Sequence, residues 1–545
     1  MNSKLAHQNG VDHLWRDVVV VGAGFAGLYS LHKLRELSYR VIVLEAGSDI
    51  GGTWFWNRYP GARCDIESLQ YSYSFSEEIQ QEWQWTELYG TQPEILRYIH
   101  FVADRLNLRP DIQLNTRVTA MRFDESDNTW TVNCDSGEQF VSRHCIMATG
   151  CLSAPIEPDI TGLNQFSGEL YRTTNWPTES VNFPGKTVGL IGTGATGVQL
   201  APVVAEQCGQ LLVFQRTPNF SIPAHNRPIN DGYEQNWKAN YAQHRINASK
   251  TRNNAIMYHG TEPGENMPLP RLQEIFEKRW QMGGLNFLYG VTDLVTSQRV
   301  NDAAAQFVCD KIAALVKNQE TARKLMPKGQ VIGAKRLCAD THYYETFNRD
   351  NVRLIDLTEE PLETITKTGV NTEGSGGKNH YPLDVLILAT GFDAMTGALN
   401  RIDITGLGGT NLRDYWAAGA RTLLGMTVAD MPNLFIITGP GSPSVLSNMV
   451  TSIEQNVDWI ADCIEHMHEH GFQRISATAK AEQEWMEHVQ AVAQRTLLPS
   501  QKTWYVGANV PGKAAVYLPY IGGVTQYLEH CRDVATNGYE GLSLQ

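Results

Sequence analysis

Two short glycine patterns constrain this chain more than anything else in it. Gly22, Gly24 and Gly27 form GxGxxG directly after DVVVV (Asp17 to Val21), a continuous apolar run with a β-branched bias. Such a run suits a strand buried on both faces of a parallel sheet. LYSLHKLRELS follows with helical spacing, and the strand RVIVLE then ends in Glu45. That is a βαβ unit. A second copy begins at Lys186. KTVGLI is its strand, GTGATG its turn (Gly192, Gly194, Gly197), VQLAPVVAEQ its helix and LLVFQ its second strand. Two such units predict an α/β chain with two nested Rossmann-like dinucleotide-binding domains.

Each fingerprint carries a mechanism. The first glycine permits the tight turn, the second lets the backbone approach a pyrophosphate, and the third allows close helix–strand packing. The helix N-terminus then faces the phosphates. Phe25 and Ala26 in the first unit, and Thr193, Ala195, Thr196 and Gln199 in the second, are read as cofactor-binding positions with their glycines. The strand ends differ in kind. Glu45 can accept the ribose hydroxyl protons of an adenosine, which suits FAD at the first site. The second strand ends in Gln215, Arg216 and Thr217, with no carboxylate. A carboxylate there would repel a 2′-phosphate, whereas Arg and Thr can hydrogen-bond it, so the second site is expected to take NADPH rather than NADH.

Each unit has an echo further along. IMATGCLSAP (Ile146 to Pro155) and LILATGFDAMTG (Leu386 to Gly397) both run from an apolar strand into Ala-Thr-Gly. In a nested fold these are the points where the chain leaves one domain for the other. The expected division is an FAD-binding domain over residues 1–150 and 390–545, and an NADPH-binding domain over 151–220 and 331–389. Between Asn219 and Gln330 no strand alternation persists, and Val308, Ile312 and Val316 repeat at helical spacing. Residues 221–330 therefore read as a helical insertion in the NADPH domain, either walling a pocket or filling space.

A net charge of −13 argues against a nucleic-acid surface, which needs clustered Lys and Arg. No apolar run approaches the ~20 residues of a membrane helix, and MNSKLAHQNGVDHLWRD lacks the apolar core of a signal peptide. A cytoplasmic protein, with no membrane partner, is expected. None of the nine cysteines stands in a CxxC pair, so neither a dithiol redox centre nor a metal site is predicted.

The stretch GGTWFWNRYPGARCD (Gly51 to Asp65) spends two tryptophans and one lone carboxylate on what reads as a loop. Its glycine, tryptophan, Tyr-Pro-Gly and aspartate pattern resembles that of type I, class B flavin-dependent Baeyer–Villiger monooxygenases. FSGELYRTTNWP (Phe166 to Pro177) is similar to that family's linker fingerprint, FxGxxxHxxxWP, and WYVGANVPGK (Trp504 to Lys513) to its mobile C-terminal segment. The resemblance spans nearly the whole chain. GPGSPSVLSNM (Gly439 to Met449) looks closest to the phenylacetone and steroid monooxygenase group.

The resemblance implies an NADPH- and O2-dependent enzyme that converts ketones (aryl, cyclic or steroid-like) to esters or lactones, with sulfoxidation as a side activity. NADPH reduces FAD, reduced flavin captures O2 as a C4a-peroxyflavin anion, and the anion attacks the ketone to give a tetrahedral adduct. Such chemistry needs a fixed positive charge that offers no easily lost proton, which arginine meets. By resemblance, Arg336 in GAKRLCAD is catalytic, Asp65 faces and orients it, and Lys335 helps hold the 2′-phosphate. Alone, a Lys-Arg pair reads as a solvated turn, and Asp65 as an Asx contact after Pro60-Gly61. Thr53 and Trp54 are placed near the flavin, with Tyr71, Val118 and Met449 at flavin-contacting positions. Trp504 matches an indole that closes over NADP. Ser444, Val445 and Leu446 match a loop shaping the ketone pocket, which Leu152 also lines. A monomer or weak oligomer is expected.

One position departs from the pattern. The fingerprint histidine is Arg172, which stays charged and only donates. Retained activity with altered coupling between NADPH and flavin is expected. Three other readings compete: a flavin hydroxylase of soft nitrogen or sulfur atoms, a flavin disulfide reductase disfavoured by the missing CxxC, and a catalytically silent redox sensor marked by Arg172.

Overall fold

The computed structural model describes residues 13–545; the reading of the extreme N-terminus falls largely on residues 1–12, outside the described residues. Two separate sheets carry the two fingerprints. The larger has eight strands. Its parallel part joins His13–Val21 to Val41–Leu44 on one side and to Gln139–Met147 on the other. An antiparallel meander (Val118–Asp124, Thr129–Cys134, Gln139–Met147) extends it, and two late strands, Asp403–Thr405 and Leu434–Ile436, return to it. The second sheet has five strands, all parallel, in the order Val352–Asp356, Gln210–Gln215, Thr187–Ile191, Val385–Leu388, Glu169–Arg172.

The apolar runs explain both sheet centres. Val18, Val19 and Val20 are fully buried, as are Val188, Val213 and Ile387, because helices cover both faces of a parallel sheet. The helix Phe25–Glu36 buries Leu28, Leu31 and Leu34, each worth about 1.5–3 kcal/mol over leaving it exposed. The long helix Met449–His470 lies along it. Tyr29 donates to Asp458 at 2.8 Å, Tyr39 donates to Glu465 at 2.6 Å, and Lys33 pairs with Asp458 at 3.1 Å. The C-terminal third of the chain thus packs back onto its first sixty residues.

The two Ala-Thr-Gly echoes sit where they close the turns. Gly22 has φ +106° and a Cβ there would lie 2.6 Å from the Ala148 carbonyl oxygen. Gly192 has φ +115° and its Cβ would lie 2.3 Å from the Ala389 carbonyl oxygen. Left-handed backbone and a neighbouring main chain both demand glycine.

Residues 221–330 are mostly helical, with Leu269–Met282 and Gln298–Leu315 as the longest helices. Val308 and Ile312 face its core; Val316 caps the helix in an extended conformation and is buried too. The segment is not free of strand: Ser221–Pro223 pairs in parallel with Cys338–Asp340. Three residues are too few to display alternation, so sequence periodicity had nothing to register. No helix among the described residues is long and apolar enough to cross a membrane.

Candidate active site

The loop Gly51–Asp65 is pinned to the first glycine turn. The Gly51 N–H donates to the Ala23 carbonyl at 2.9 Å. A Cβ on Gly52 would fall 2.9 Å from the Gly24 Cα. Thr53–Trp56 then forms a single helical turn that buries Trp54, whose indole N–H donates to the Tyr71 hydroxyl at 3.2 Å. The two rings meet edge to face, 5.8 Å apart. Gln92 donates to the Trp54 carbonyl. The tryptophan is thus held by Tyr71 and Gln92 beside the turn.

The end of the same loop reaches the second unit. Tyr59 donates to Gln199 Oε1 at 2.8 Å, and Gln199 Nε2 donates to the Arg63 carbonyl at 3.0 Å. Gln199 therefore spends both ends of its amide tying the second fingerprint helix to the first unit's loop. Sequence reasoning placed it on the helix and could not see this partner.

Asp65 lies just beyond and grips Arg336. Arg336 Nε donates to Asp65 Oδ2 at 2.5 Å and Nη2 donates to Oδ1 at 2.7 Å, a bidentate pair between residues 271 apart in the chain. Nη1 donates to the Val445 carbonyl. Both side chains are about a quarter exposed. Burial opposes the charge on Arg336, but the Asp65 carboxylate outweighs it and raises the guanidinium above its ordinary pKa. It stays charged at any working pH. Ser444, at φ +43°, takes the left-handed turn that aims the Val445 carbonyl. Strain of that kind costs of order 1 kcal/mol and persists only where neighbours enforce it. Ser447 enforces it here, its backbone N–H and its hydroxyl both donating to the Ser444 carbonyl.

Lys335 and Arg216 form a second cationic group. Lys335 touches Gln330 at 3.4 Å, and neither Lys335 nor Arg216 pairs with a carboxylate among the described residues. Burial lowers the Lys335 pKa and the Arg216 charge lowers it further. Two cations that repel each other without an anion between them are arranged for one to be brought in. Thr193 donates to the Thr217 carbonyl at 2.9 Å and so fixes the strand end that carries Arg216.

The two turns fit dinucleotides. Both fingerprint helices begin at a glycine (Gly24, Gly194) with no side-chain cap and no acid in the first turn, so their first N–H groups are free for phosphate. A Cβ on Gly194 would meet nothing within 4 Å, and Ala195 beside it is exposed with Thr196 half-buried behind. Phe25 and Ala26 are buried at the first turn. Glu45 is 4% exposed and accepts from the Ala23 and Gly47 N–H groups, both at 2.7 Å. Burial raises its pKa against those bonds. Each oxygen keeps a lone pair for a ribose hydroxyl.

A cavity of about 320 Å³ is lined in part by Pro443 and Leu446. Leu446 is next in sequence to Val445, whose carbonyl Arg336 holds. Of the predicted pocket residues only Leu446 is on this wall. Ser444 is fully buried with its hydroxyl on the Met395 thioether, and Leu152 is half-buried against the same core. Most of the wall comes from the helical insertion: Arg252, His259, Leu288, Tyr289, Leu294 and Val295. The insertion does wall a pocket. Sequence reasoning missed these residues because no short-range spacing joins them. Met449 opens its helix, Val118 opens its strand, and Trp504 meets Tyr505 edge to face at 4.3 Å.

The comparisons with known proteins decide the family. Residues 16–256 match the pyridine nucleotide-disulphide oxidoreductase family. A Baeyer-Villiger monooxygenase of Pseudooceanicola batsensis is 40% identical over 533 residues, covering 96% of each chain. A phenazine N-monooxygenase of Lysobacter antibioticus is 39% identical, covering 97% of each. The structure of an oxidized steroid monooxygenase bound to NADP superposes with a TM-score of 0.93 at 45% identity, covering 97% of this chain and 99% of that one. The chain belongs to the type I Baeyer–Villiger monooxygenases. As such it is an FAD- and NADPH-dependent oxidoreductase acting on ketones. All nine cysteines are free, and eight are buried. In this Baeyer–Villiger monooxygenase Arg172, on the edge strand paired with Val385–Leu388, forms an ion pair with Glu157 at 3.2 Å. Its Nε is buried with no partner.

Proposed function

We propose that this monooxygenase inserts oxygen beside the carbonyl of aryl, cyclic or steroid-like ketones, with Arg336 as the catalytic cation and Asp65 as its positioning partner. The observation that carries this reading is the bidentate Asp65–Arg336 pair, made by one residue from each glycine-turn unit, with Arg336 also holding the Val445 carbonyl next in sequence to the cavity-lining Leu446. Bound FAD, reduced by NADPH, supplies the activated oxygen. The chain supplies the charge. A guanidinium has five N–H donors, of which Asp65 and Val445 take three. The remaining two are free for negative charge that develops on the ketone oxygen. Asp65 fixes the plane of the guanidinium, and its charge lets Arg336 remain cationic without releasing a proton that would quench an anion.

Around this pair, Glu45 would take the FAD ribose and Thr53, Trp54, Tyr71, Val118 and Met449 would border the flavin. Arg216, Thr217 and Lys335 would hold the 2′-phosphate, and Trp504 would close over NADP. Leu446 would face the ketone end, with Leu152, Ser444 and Val445 shaping it from behind the wall. Sheet membership supports an FAD domain over 1–150 and 390–545, and an NADPH domain over 151–220 and 331–389 with the insertion at 221–330. The cavity's size and apolar walls suit cyclic and aryl ketones. Nine free cysteines favour a reducing compartment, the cytoplasm. The few strongly exposed large apolar side chains, Ile246, Tyr258 and Leu269, favour a monomer or weak oligomer.

Sulfoxidation as a side reaction draws support from the phenazine N-monooxygenase, whose name places its activity at a nitrogen. Product analysis with a ketone and a sulfide tests both. The decisive variant is Arg336→Ala. NADPH should still bleach its flavin, while ester formation drops about a thousandfold, the scale of losing a preorganised charge. Ester formation within tenfold of wild type would sink the assignment.

A further inference from the structure

The cavity wall holds one permanent charge. No Asp or Glu lines it, and Leu288, Val291, Leu294, Val295, Leu446 and Leu498 are among its apolar lining residues. Arg252 lines it too and is exposed, between the helix Tyr241–Ser249 and the buried Asn253–Ala255. Among the described residues it forms no ion pair.

The segment opposite is shaped to hold this side chain. Arg252 Nη2 donates to the Ile521 carbonyl at 2.8 Å. The Val524 N–H donates to the Arg252 carbonyl at 2.8 Å. Between them Gly523 has φ +100°, and a Cβ there would lie 2.9 Å from the Arg252 Cγ. A side chain at 523 would therefore displace the arginine stem. Ile521, Gly523 and Arg252 all line the cavity. One neutral acceptor is thus spent on orienting a cation, and its other N–H donors have no protein partner among the described residues. His259 shares the wall, with its ring 4.6 Å from that of Tyr289. Burial, then Arg279, then Arg252 lower its pKa, so it adds no competing charge near neutral pH.

A lone oriented guanidinium on the wall of a largely apolar cavity selects for an anion at one end of an apolar ligand. We propose that Arg252 is a specificity-determining residue that favours ketones carrying a carboxylate at the end remote from the carbonyl. Arg336 and Arg252 then divide the work. One meets the charge that develops at the reacting oxygen, and the other meets a charge the substrate already carries.

This rests on the ketone reading above, and the test separates the two. An aryl ketone bearing a para-carboxylate and the same ketone bearing a primary amide are compared by kcat/KM, in the FAD-loaded enzyme with NADPH. Wild type should prefer the carboxylate, and the preference should shrink as salt is raised. Arg252→Gln removes the charge while keeping a donor for the Ile521 carbonyl, and should lower the carboxylate-to-amide ratio about tenfold, the scale of one charge-assisted hydrogen bond. Arg252→Glu should lower it further and Arg252→Lys should restore part of it. A wild-type enzyme without carboxylate preference, or a ratio within twofold in Arg252→Gln, overturns the proposal. Equal loss on both ketones would mean Arg252 only supports the wall, and also overturns it. Oxidation of neither ketone by wild type would overturn the ketone assignment instead.

Discussion

The turn at Gly22 and the turn at Gly192 have nearly the same backbone. Their φ angles are +106° and +115°, each abuts an alanine carbonyl from an Ala-Thr-Gly segment, and each helix starts uncapped. The strands beside them end in opposite ways. Glu45 is buried and held by two N–H groups, whereas Arg216 is exposed, close to Lys335 and paired with no carboxylate. On the proposed reading, pyrophosphate binding is a property of the main chain met twice by one geometry, and the choice of nucleotide falls to side chains just past the strand. The two units share one feature: each gives one residue to the Asp65–Arg336 pair, so the proposed catalysis belongs to neither alone.

Breaking that pair should have the largest effect. Asp65→Ala leaves Arg336 charged but free to turn, and both flavin reduction and ester formation should slow, the latter by about a hundredfold or more. Stopped-flow absorbance with NADPH and product chromatography read the two steps. Unchanged reduction would mean that the units are coupled elsewhere, with Gln199 and Tyr59 as the next suspects.

Giving the second turn the sign of the first comes next. Arg216→Glu places a carboxylate where the 2′-phosphate is expected, and kcat/KM for NADPH should fall about a hundredfold while that for NADH does not. A parallel fall for both cofactors would break the charge contrast between the two strand ends.

A third difference lies inside the sheets. His144 is buried in Gln139–Met147, and burial pushes its imidazole down to about 3. The strands of the five-stranded sheet contain no histidine. Above pH ~6.5 neither folded nor unfolded His144 is protonated, and its contribution is nil. Below that, the unfolded chain binds a proton that the folded one refuses. Stability should therefore fall by about 1.4 kcal/mol per pH unit, down to the folded pKa. His144→Phe should flatten the decline of Tm between pH 6.5 and 5. An unaltered slope would assign acid lability to other groups.

The smallest effect is expected at Arg172, where the second sheet meets the linker. Arg172→His removes the reach to Glu157 and should alter peroxide release per NADPH consumed by about threefold, with little change in fold stability. Identical rate and leakage in the variant would leave the Arg172–Glu157 pair as surface chemistry only.

Local sequence determined both βαβ units, because backbone conformation and burial leave a mark at short range. Glycine at a left-handed turn, a β-branched run in a doubly covered strand, and Glu45 or Arg216 at a strand end all can be read within thirty residues. The Arg336 and Asp65 roles could be read only through family resemblance, since a Lys-Arg turn has no distinctive local pattern. Tertiary structure alone decided the rest. Gln199 sits on a cofactor helix yet spends its amide on Tyr59 and Arg63. Ser444 belongs to a pocket-shaping loop yet faces the core, leaving a backbone carbonyl to hold Arg336. Arg252 reads as one surface cation until Ile521 and Gly523, some 270 residues later, turn it toward the cavity. The physical reason is common to all three. Periodicity and propensity report on a residue's own neighbourhood along the chain, whereas a side chain's partner is chosen by which distant segments the packed core brings within 3 Å.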